Sequence, residues 1–431
     1  MNKKLFPILS AFLLLFSLIE KGQATETYRP ETSVAGFIQL PGSGRQVYNF
    51  NPGWRFFKGD IHGAESVDFD DRSWTIVSTP HTVELMPAEA SGCRNYQGPA
   101  WYRKHFVLPA ETKGKRVLIH FEAAMGKQVL YLNGKRIQEH VGGYLPFTLD
   151  LTTNGIQAGD SCLLAIFVDN SNDKSFPPGK PQYTLDFAYH GGIYRDVWMI
   201  AKSPVSITDP LDSQTVAGGG VFVHFDKISE KSAQVYVNTE LQNDNQHTET
   251  VTVETTLTDA DGKVIKRTSG KLSLKSGEKK IIRQQVEVKS PKLWSPDAPY
   301  LYRVQSCIKK GNQSIDGGIT RIGIRLAEFR GKDGFWLNGK PFGQLVGANR
   351  HQDFAYVGNA LPNSQQWRDA KRLRDAGCTI IRVAHYPQDP SFMDACDELG
   401  MFVIVATPGW QYWNKDVKFG ELVHQNTREM I

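Results

Sequence analysis

The chain has 431 residues, 40% of them hydrophobic and 22% charged, with a formal net charge of +5. That length allows about three domains, and the balance is that of an ordinary globular protein, not a disordered or collagen-like one. The positive excess is small and scattered along the chain, which gives no argument for nucleic acid as a partner.

The chain opens on an export signal. Lys3 and Lys4 precede an apolar run from Leu5 to Ile19, and Gly22-Gln23-Ala24 offers a small-x-small cleavage site. The alternative, a membrane anchor, needs about twenty apolar residues, and this run is shorter. Cleavage after residue 24 lowers the formal charge to +3, because Lys3, Lys4, Lys21 and Glu20 are removed from a total of +5. The mature protein is therefore expected to be exported, periplasmic or secreted, with no membrane segment. The five cysteines, Cys93, Cys162, Cys307, Cys378 and Cys396, are odd in number and widely spaced. No CxxC pair suggests zinc; buried unpaired thiols are expected, with one disulfide left open.

Residues 45–203 read as all-β. Val117, Ile119 and Phe121 alternate with polar or basic neighbours, the pattern of a half-buried strand. Asn133-Gly134 between two apolar runs is a hairpin signal, since both turn residues need positive φ. A β-sandwich of the jelly-roll kind follows. Residues 204–330 are again strand-rich, with alternation through Val235, Val237 and Thr239 and through Val251, Val253 and Thr255, and a turn at Asp261-Gly262. About a hundred residues of this texture fit an immunoglobulin-like sandwich without the Cys-Trp-Cys spacing of antibody domains.

From residue 331 the pattern changes. Asn338-Gly339 marks one more hairpin, and Leu345-Val346 gives a short strand ending near Gly347. Asn363-Ser364 is placed to cap a helix carrying Trp367, Ala370 and Leu373, with Gly377 as its stop. Thr379 to Ala384 is a strand, Pro390 starts a helix, Met401 to Ala406 is a third strand, and a third helix is expected from Glu421. This alternation describes parallel βα units.

In βα repeats, residues just after a strand lie on the face where barrel enzymes build active sites. His351 and His385 hold equivalent places after consecutive strands and carry hydrogen-bonding nitrogens suited to a shared pocket; the alternative is that each fixes a loop. Asn349 and Arg350 would hydrogen-bond substrate or brace nearby carboxylates. Trp410 and Trp413 follow the third strand, to stack on a ligand or to pack under the rim. Asp353, Asp389 and Asp416 also lie in loops after strands; a pair of them could serve as acid and base, but solvated loop acids are the default.

Several short motifs recur in order: Phe69-Asp70-Asp71, Pro80-His81-Thr82, Trp101-Tyr102-Arg103-Lys104, Gly142-Gly143-Tyr144, Tyr189 to Val197, Leu293-Trp294-Ser295-Pro296, Asn349-Arg350-His351 and His385-Tyr386-Pro387. In this order and spacing the chain resembles glycoside hydrolase family 2, the family of β-galactosidase, β-glucuronidase and β-mannosidase. The Asn-Arg-His form followed by Gln352-Asp353 is more similar to the galactosidase branch than to the mannosidase one. The resemblance implies a jelly-roll sugar-binding domain, an immunoglobulin-like sandwich and a (β/α)8 catalytic barrel, acting on terminal β-linked sugars, β-galactosides first, by a retaining mechanism. It implies that His351 and His385 line the sugar pocket, and that Asp186, by its spacing from the Gly191-Gly192 turn, orients the sugar. It also implies two catalytic glutamates on later barrel strands. From 335 to 431 there are only 97 residues, where such a barrel takes about 250, so no catalytic residue is expected here and the chain alone should be inactive. Where β-galactosidases carry an acidic pair after the third strand, this chain has Val405-Ala406-Thr407-Pro408, which cannot ligate a divalent cation. No cofactor is expected. The expected partner is an oligosaccharide or other β-glycoside, with oligomers open for the complete enzyme. β-Glucuronide or β-mannoside specificity, or a non-catalytic carbohydrate-binding remnant, stand as alternatives.

Overall fold

Alternation of apolar and polar residues builds the first two thirds of the protein. The structure, a computed structural model, describes residues 30–86, 95–185, 187–213, 215, 219–409 and 411–431. The expected export signal, Cys93, Asp186 and Trp410 lie outside the described residues. Thr32–Ile431 makes up one compact unit.

Two antiparallel sheets form the jelly roll. One runs in the order Gln46–Asn49, Val197–Lys202, Arg116–Phe121, Phe147–Asp150; the other in the order Thr75–Val77, Trp54–Lys58, Pro99–Val107, Ser161–Asp169, Lys127–Leu132, Lys135–Val141. Between them Trp54, Tyr102, Ile119, Phe121, Leu164 and Ile166 are fully buried. The expected hairpin is present, with φ of 50° at Asn133 and 81° at Gly134. Arg116–Phe121 differs from the half-buried reading, because Leu118 and His120 are buried as well, at 1% and 6% exposure. The outer face of that sheet is covered by later parts of the chain: His120 lines a cavity with Asp209, Pro210 and Pro387. The motif residues Asp71 and Arg103 are one interaction, a buried pair with Nε 2.7 Å from Oδ2, the same guanidinium also donating to the Ser66 carbonyl at 3.0 Å.

The second sandwich stacks Val205–Ile207, Val221–Asp226, Ser232–Asn243 and Lys279–Lys289 against Glu249–Thr258, Val264–Leu274, Tyr302–Lys310 and Gln313–Ile322. Its inward Val235, Val237, Val286, Val288 and Val304 are buried, as the alternation requires. Asp316 joins it to the first domain by accepting from Arg45 Nε and Nη2, both at 2.7 Å, while also accepting from the Ile207 amide of its own domain at 2.8 Å. Arg321 joins it to the third, donating to Asp394 at 2.8 Å and to Glu398, while Ser33 donates to Asp394 from its amide and hydroxyl.

The last part is a parallel three-stranded sheet, β1 (Gly347–Arg350), β2 (Ile380–Val383) and β3 (Phe402–Val405), with helices α1 (Asn363–Asp375), α2 (Pro390–Leu399) and α3 (Val417–Met430). These are the first units of a TIM barrel. β1 starts where Leu345-Val346 was expected to end, so Asn349 and Arg350 lie within the strand, not after it. Gly347 suits this edge: a Cβ there would sit 1.7 Å from the Ile380 carbonyl oxygen. Asn363 is the first residue of α1, not its cap, and its amide donates to Asp196 at 2.9 Å instead. α3 starts four residues before Glu421 because Asp416 caps it through the Lys418 amide. Among the described cysteines Cys162, Cys307, Cys378 and Cys396 are all free thiols.

His81, in the motif that crosses the jelly roll, accepts or donates at Nδ1 to the Tyr102 hydroxyl, 2.8 Å away. Burial lowers its pKa from 6.5 to about 4. The folded state therefore disfavours the imidazolium. The stability from neutral His81 is complete above pH 6.5 and is lost as pH falls through about 4. Between pH 7.5 and 4.5, His81→Phe should lose on the order of 2 kcal/mol less stability than the unaltered protein in urea titrations. Equal losses would show that His81 is not what titrates.

Candidate active site

Three strand ends and one jelly-roll loop build the site. β1 and β2 pair in register, Arg350 opposite Val383, so the residues after them emerge side by side. His351 and His385 stand with ring centroids 5.6 Å apart and planes at 80°. Phe187, from the first domain, stacks on His351 at 5.1 Å and 21° and lies 5.7 Å from His385. Tyr386 stacks face to face on Tyr144 of the first domain at 4.0 Å and 8°. A small cavity beside them is lined by Lys180, Phe187, Tyr189, His385, Tyr386 and Gln411. The walls are thus aromatic and the polar groups few, and at about 10 Å³ the cavity has room for no more than a single water molecule. Burial, then the neighbouring Tyr386, pushes the Tyr144 hydroxyl up; burial, then Asp353, does the same to Tyr386. Both remain protonated donors at neutral pH. The buried Nδ1 of His351 has no hydrogen-bond partner among the described residues.

The remaining candidates separate by function. Asn349 is exposed in β1. Arg350 is 5% exposed and turned into the helix layer, a correction to its reading as a sugar contact: it donates to Gln366 and Asp369, each at 2.8 Å, and to Gln388, and it lies over the Phe392 ring. That is the bracing alternative, directed at Asp369. Asp389 is a buried helix cap, not a solvated loop acid, accepting from the Ser391 amide at 2.9 Å; Asp416 is exposed, as expected, and caps α3 by accepting from the Lys418 amide at 2.9 Å. Trp413 is 70% exposed and meets Phe419 edge-on. Asp353 Oδ2 stands 3.8 Å from His190 Nε2. Burial alone would raise the Asp353 carboxyl, but His190 and then His351 hold it below its ordinary value. Among the described residues no three His, Cys, Asp or Glu side chains are disposed to hold a metal ion.

Phe187, His190, Tyr144 and Arg195 are part of the site although sequence reasoning nominated none of them for it. They belong to a β domain remote in sequence from the barrel. The available signal was that Gly142-Gly143-Tyr144 and Tyr189 to Val197 stand among the ordered motifs of the chain. Arg195 does most to place them: its Nη2 donates to the Pro387 carbonyl at 2.7 Å and to Gln352 at 3.1 Å, its Nη1 to the Tyr144 carbonyl at 3.2 Å.

Comparison with known proteins agrees with this architecture. Residues 64–204 match the sugar binding domain of glycosyl hydrolases family 2, residues 219–325 the profile described as glycosyl hydrolases family 2, and residues 329–427 the family's TIM barrel domain. The chain belongs to glycosyl hydrolase family 2. It is 35% identical to a β-galactosidase of Thermoanaerobacter pseudethanolicus over 90% of this chain and 50% of that protein. It is 33% identical to a β-glucuronidase of Formosa agariphila over 85% of this chain and 38% of that protein. A solved Bacteroides uniformis β-glucuronidase 2, covalently bound to cyclophellitol-6-carboxylate aziridine, superposes with a TM-score of 0.81 at 32% identity, over 90% of this chain and 45% of that one. The chain spans about half the length, or less, of these relatives.

Gly358 gives a direct handle on the Asp353–His190 contact. A Cβ on Gly358 would lie 2.5 Å from His190 Cγ, at a φ of +53°. Gly358→Ala should cost about 1–3 kcal/mol of stability and, by displacing His190, let burial raise the Asp353 carboxyl. Carbon-13 titration of Asp353 reads this; an unmoved titration would mean that His190 does not hold that carboxylate.

Proposed function

We propose that this glycoside hydrolase acts on terminal β-galactosides, with retention of configuration, after export from the cytoplasm. The observation that carries the reading is the pair of imidazoles, His351 and His385, 5.6 Å apart at the ends of adjacent parallel strands under Phe187. A sugar ring held there meets an aromatic wall from one domain and hydrogen-bonding nitrogens from another. A retaining mechanism needs two carboxyl groups about 5–5.5 Å apart, one protonating the leaving oxygen and one attacking the anomeric carbon. Asp389 and Asp416 are occupied as caps and Asp353 faces His190. We assign both catalytic carboxyls to glutamates of later barrel strands, and to this chain the binding and orientation of the sugar. The residues before Thr25 act as the export signal.

A second reading, β-glucuronide hydrolysis, is favoured by Lys180, which lines the same cavity as His385 and offers an ammonium to a sugar carboxylate. The similarity to β-glucuronidases supports it equally.

An aryl β-glycoside panel tests these readings. In a full-length family member, replacing the histidine aligned with His385 by Ala should lower kcat/KM for the aryl β-galactoside by a factor of about 10 to 1,000. Glucuronide cleavage without galactoside cleavage selects the second reading. Residues 25–431 alone should show no turnover; robust turnover abolished by Asp353→Asn would move the catalytic pair into this chain.

A further inference from the structure

The positive excess is not spread evenly, as its small total suggested. Positions 263–289 carry nine Lys or Arg against two acids, Glu278 and Glu287. They form the consecutive strands Val264–Leu274 and Lys279–Lys289 of the immunoglobulin-like domain, each paired in its sheet on one side, the first to Glu249–Thr258 and the second to Ser232–Asn243. The cations therefore gather along one flank of the sandwich. Lys266, Lys271, Lys275, Lys280, Arg283 and Lys289 are all exposed. Only part of this charge is neutralised nearby: Arg267 faces Glu254 at 3.8 Å, and Lys280 donates to a carbonyl, that of Ser273, at 3.3 Å.

Such a flank is costly to maintain. Like charges on neighbouring strands repel, and a sandwich edge needs only one or two lysines to prevent strand addition. A polyanion laid along it removes the repulsion and releases counterions. An eleven-residue strand is about 35 Å long, enough to follow several units of an extended polymer. No aromatic residue occurs between 263 and 289. The stacked rings Phe222, His224 and Tyr236 stand on the strands beyond, Tyr236 opposite Gln285, so the two strands themselves offer charge, with the amide of Gln285 and the hydroxyls of Ser269 and Ser273, as their recognition chemistry. We propose that this flank of the immunoglobulin-like domain binds an acidic polysaccharide, one carrying carboxylate or sulfate groups, and holds the enzyme on a charged glycan independently of the sugar pocket.

The test is affinity electrophoresis of residues 25–431 through gels containing polygalacturonate, dextran sulfate or neutral galactan. The unaltered protein should be retarded by the acidic polymers, not by the galactan, and retardation should fall with added salt. Lys266→Glu/Lys271→Glu/Lys275→Glu should weaken retardation at least tenfold. Lys113→Glu/Lys135→Glu/Lys332→Glu, which changes net charge equally outside this flank, should weaken it less than threefold. Circular dichroism of each variant establishes that it is folded. Equal losses in the two triple variants would reduce the effect to net charge and overturn the proposal. So would absence of retardation by either acidic polymer, or stronger capture by single-stranded DNA or by phosphatidylglycerol vesicles than by the polysaccharides. The sugar pocket is untouched by these substitutions, so failure here leaves the proposed hydrolysis standing.

Discussion

One guanidinium holds the site together. Arg195 is the middle residue of Tyr194-Arg195-Asp196, at the end of the jelly roll, and its side chain is 3% exposed. It spans from the Tyr144 carbonyl of its own domain to Gln352 after β1 and to the Pro387 carbonyl after β2. Its Nε lies 3.9 Å from the carboxylate of Asp389, the residue that caps α2. The loops that carry His351 and His385 are therefore both tied to the first domain through one side chain. Removing one partner from a buried arrangement of this kind costs about 3–5 kcal/mol, because the other charges remain without compensation.

The carboxyls around Arg195 show how narrowly that charge is balanced. Burial, then Asp389 and Asp196, pushes the Glu122 carboxyl well above its ordinary value, and burial, then Asp389, raises Asp196. Asp196 is satisfied by two amides, Asn51 and Asn363, each at 2.9 Å, and Glu122 by the Trp198 indole at 2.9 Å. Groups with raised values stabilise the fold most when protonated, so their contribution is lost as pH rises through those values. The same cluster ties the jelly roll to the barrel: Asp196 is satisfied by one amide from each, Asn51 and Asn363.

Much of this was legible in the chain. Val235 and Val237, Asn133-Gly134 and the strand-helix alternation after 331 state local periods and turns, and local rules suffice for them. His351 and His385 were found because βα repeats place equivalent residues side by side. Leu118 and His120 were misjudged because the surface that buries them comes from distant parts of the chain. Arg350 was ambiguous because a strand's terminal residue can face either the barrel axis or the helices, and β1 ends at Arg350, three residues beyond the expected end near Gly347, an odd shift that exchanges the two faces. Asp389 was readable in principle, since Asp before Pro390 and Ser391 is a helix-start signature. Phe187 and Arg195 were not, since nothing in a β-sandwich motif says which face a second domain will cover.

The central claim is that Arg195 couples the jelly roll to both histidine loops. Hydrogen–deuterium exchange across the whole chain, comparing Arg195→Met with the unaltered protein, tests it most directly. The account predicts faster exchange together in the segments around Tyr144, around His351 and around His385, with the immunoglobulin-like strands Ser232–Asn243 and Tyr302–Lys310 unchanged. A change confined to Tyr194–Val197, with both histidine loops as protected as before, would contradict it.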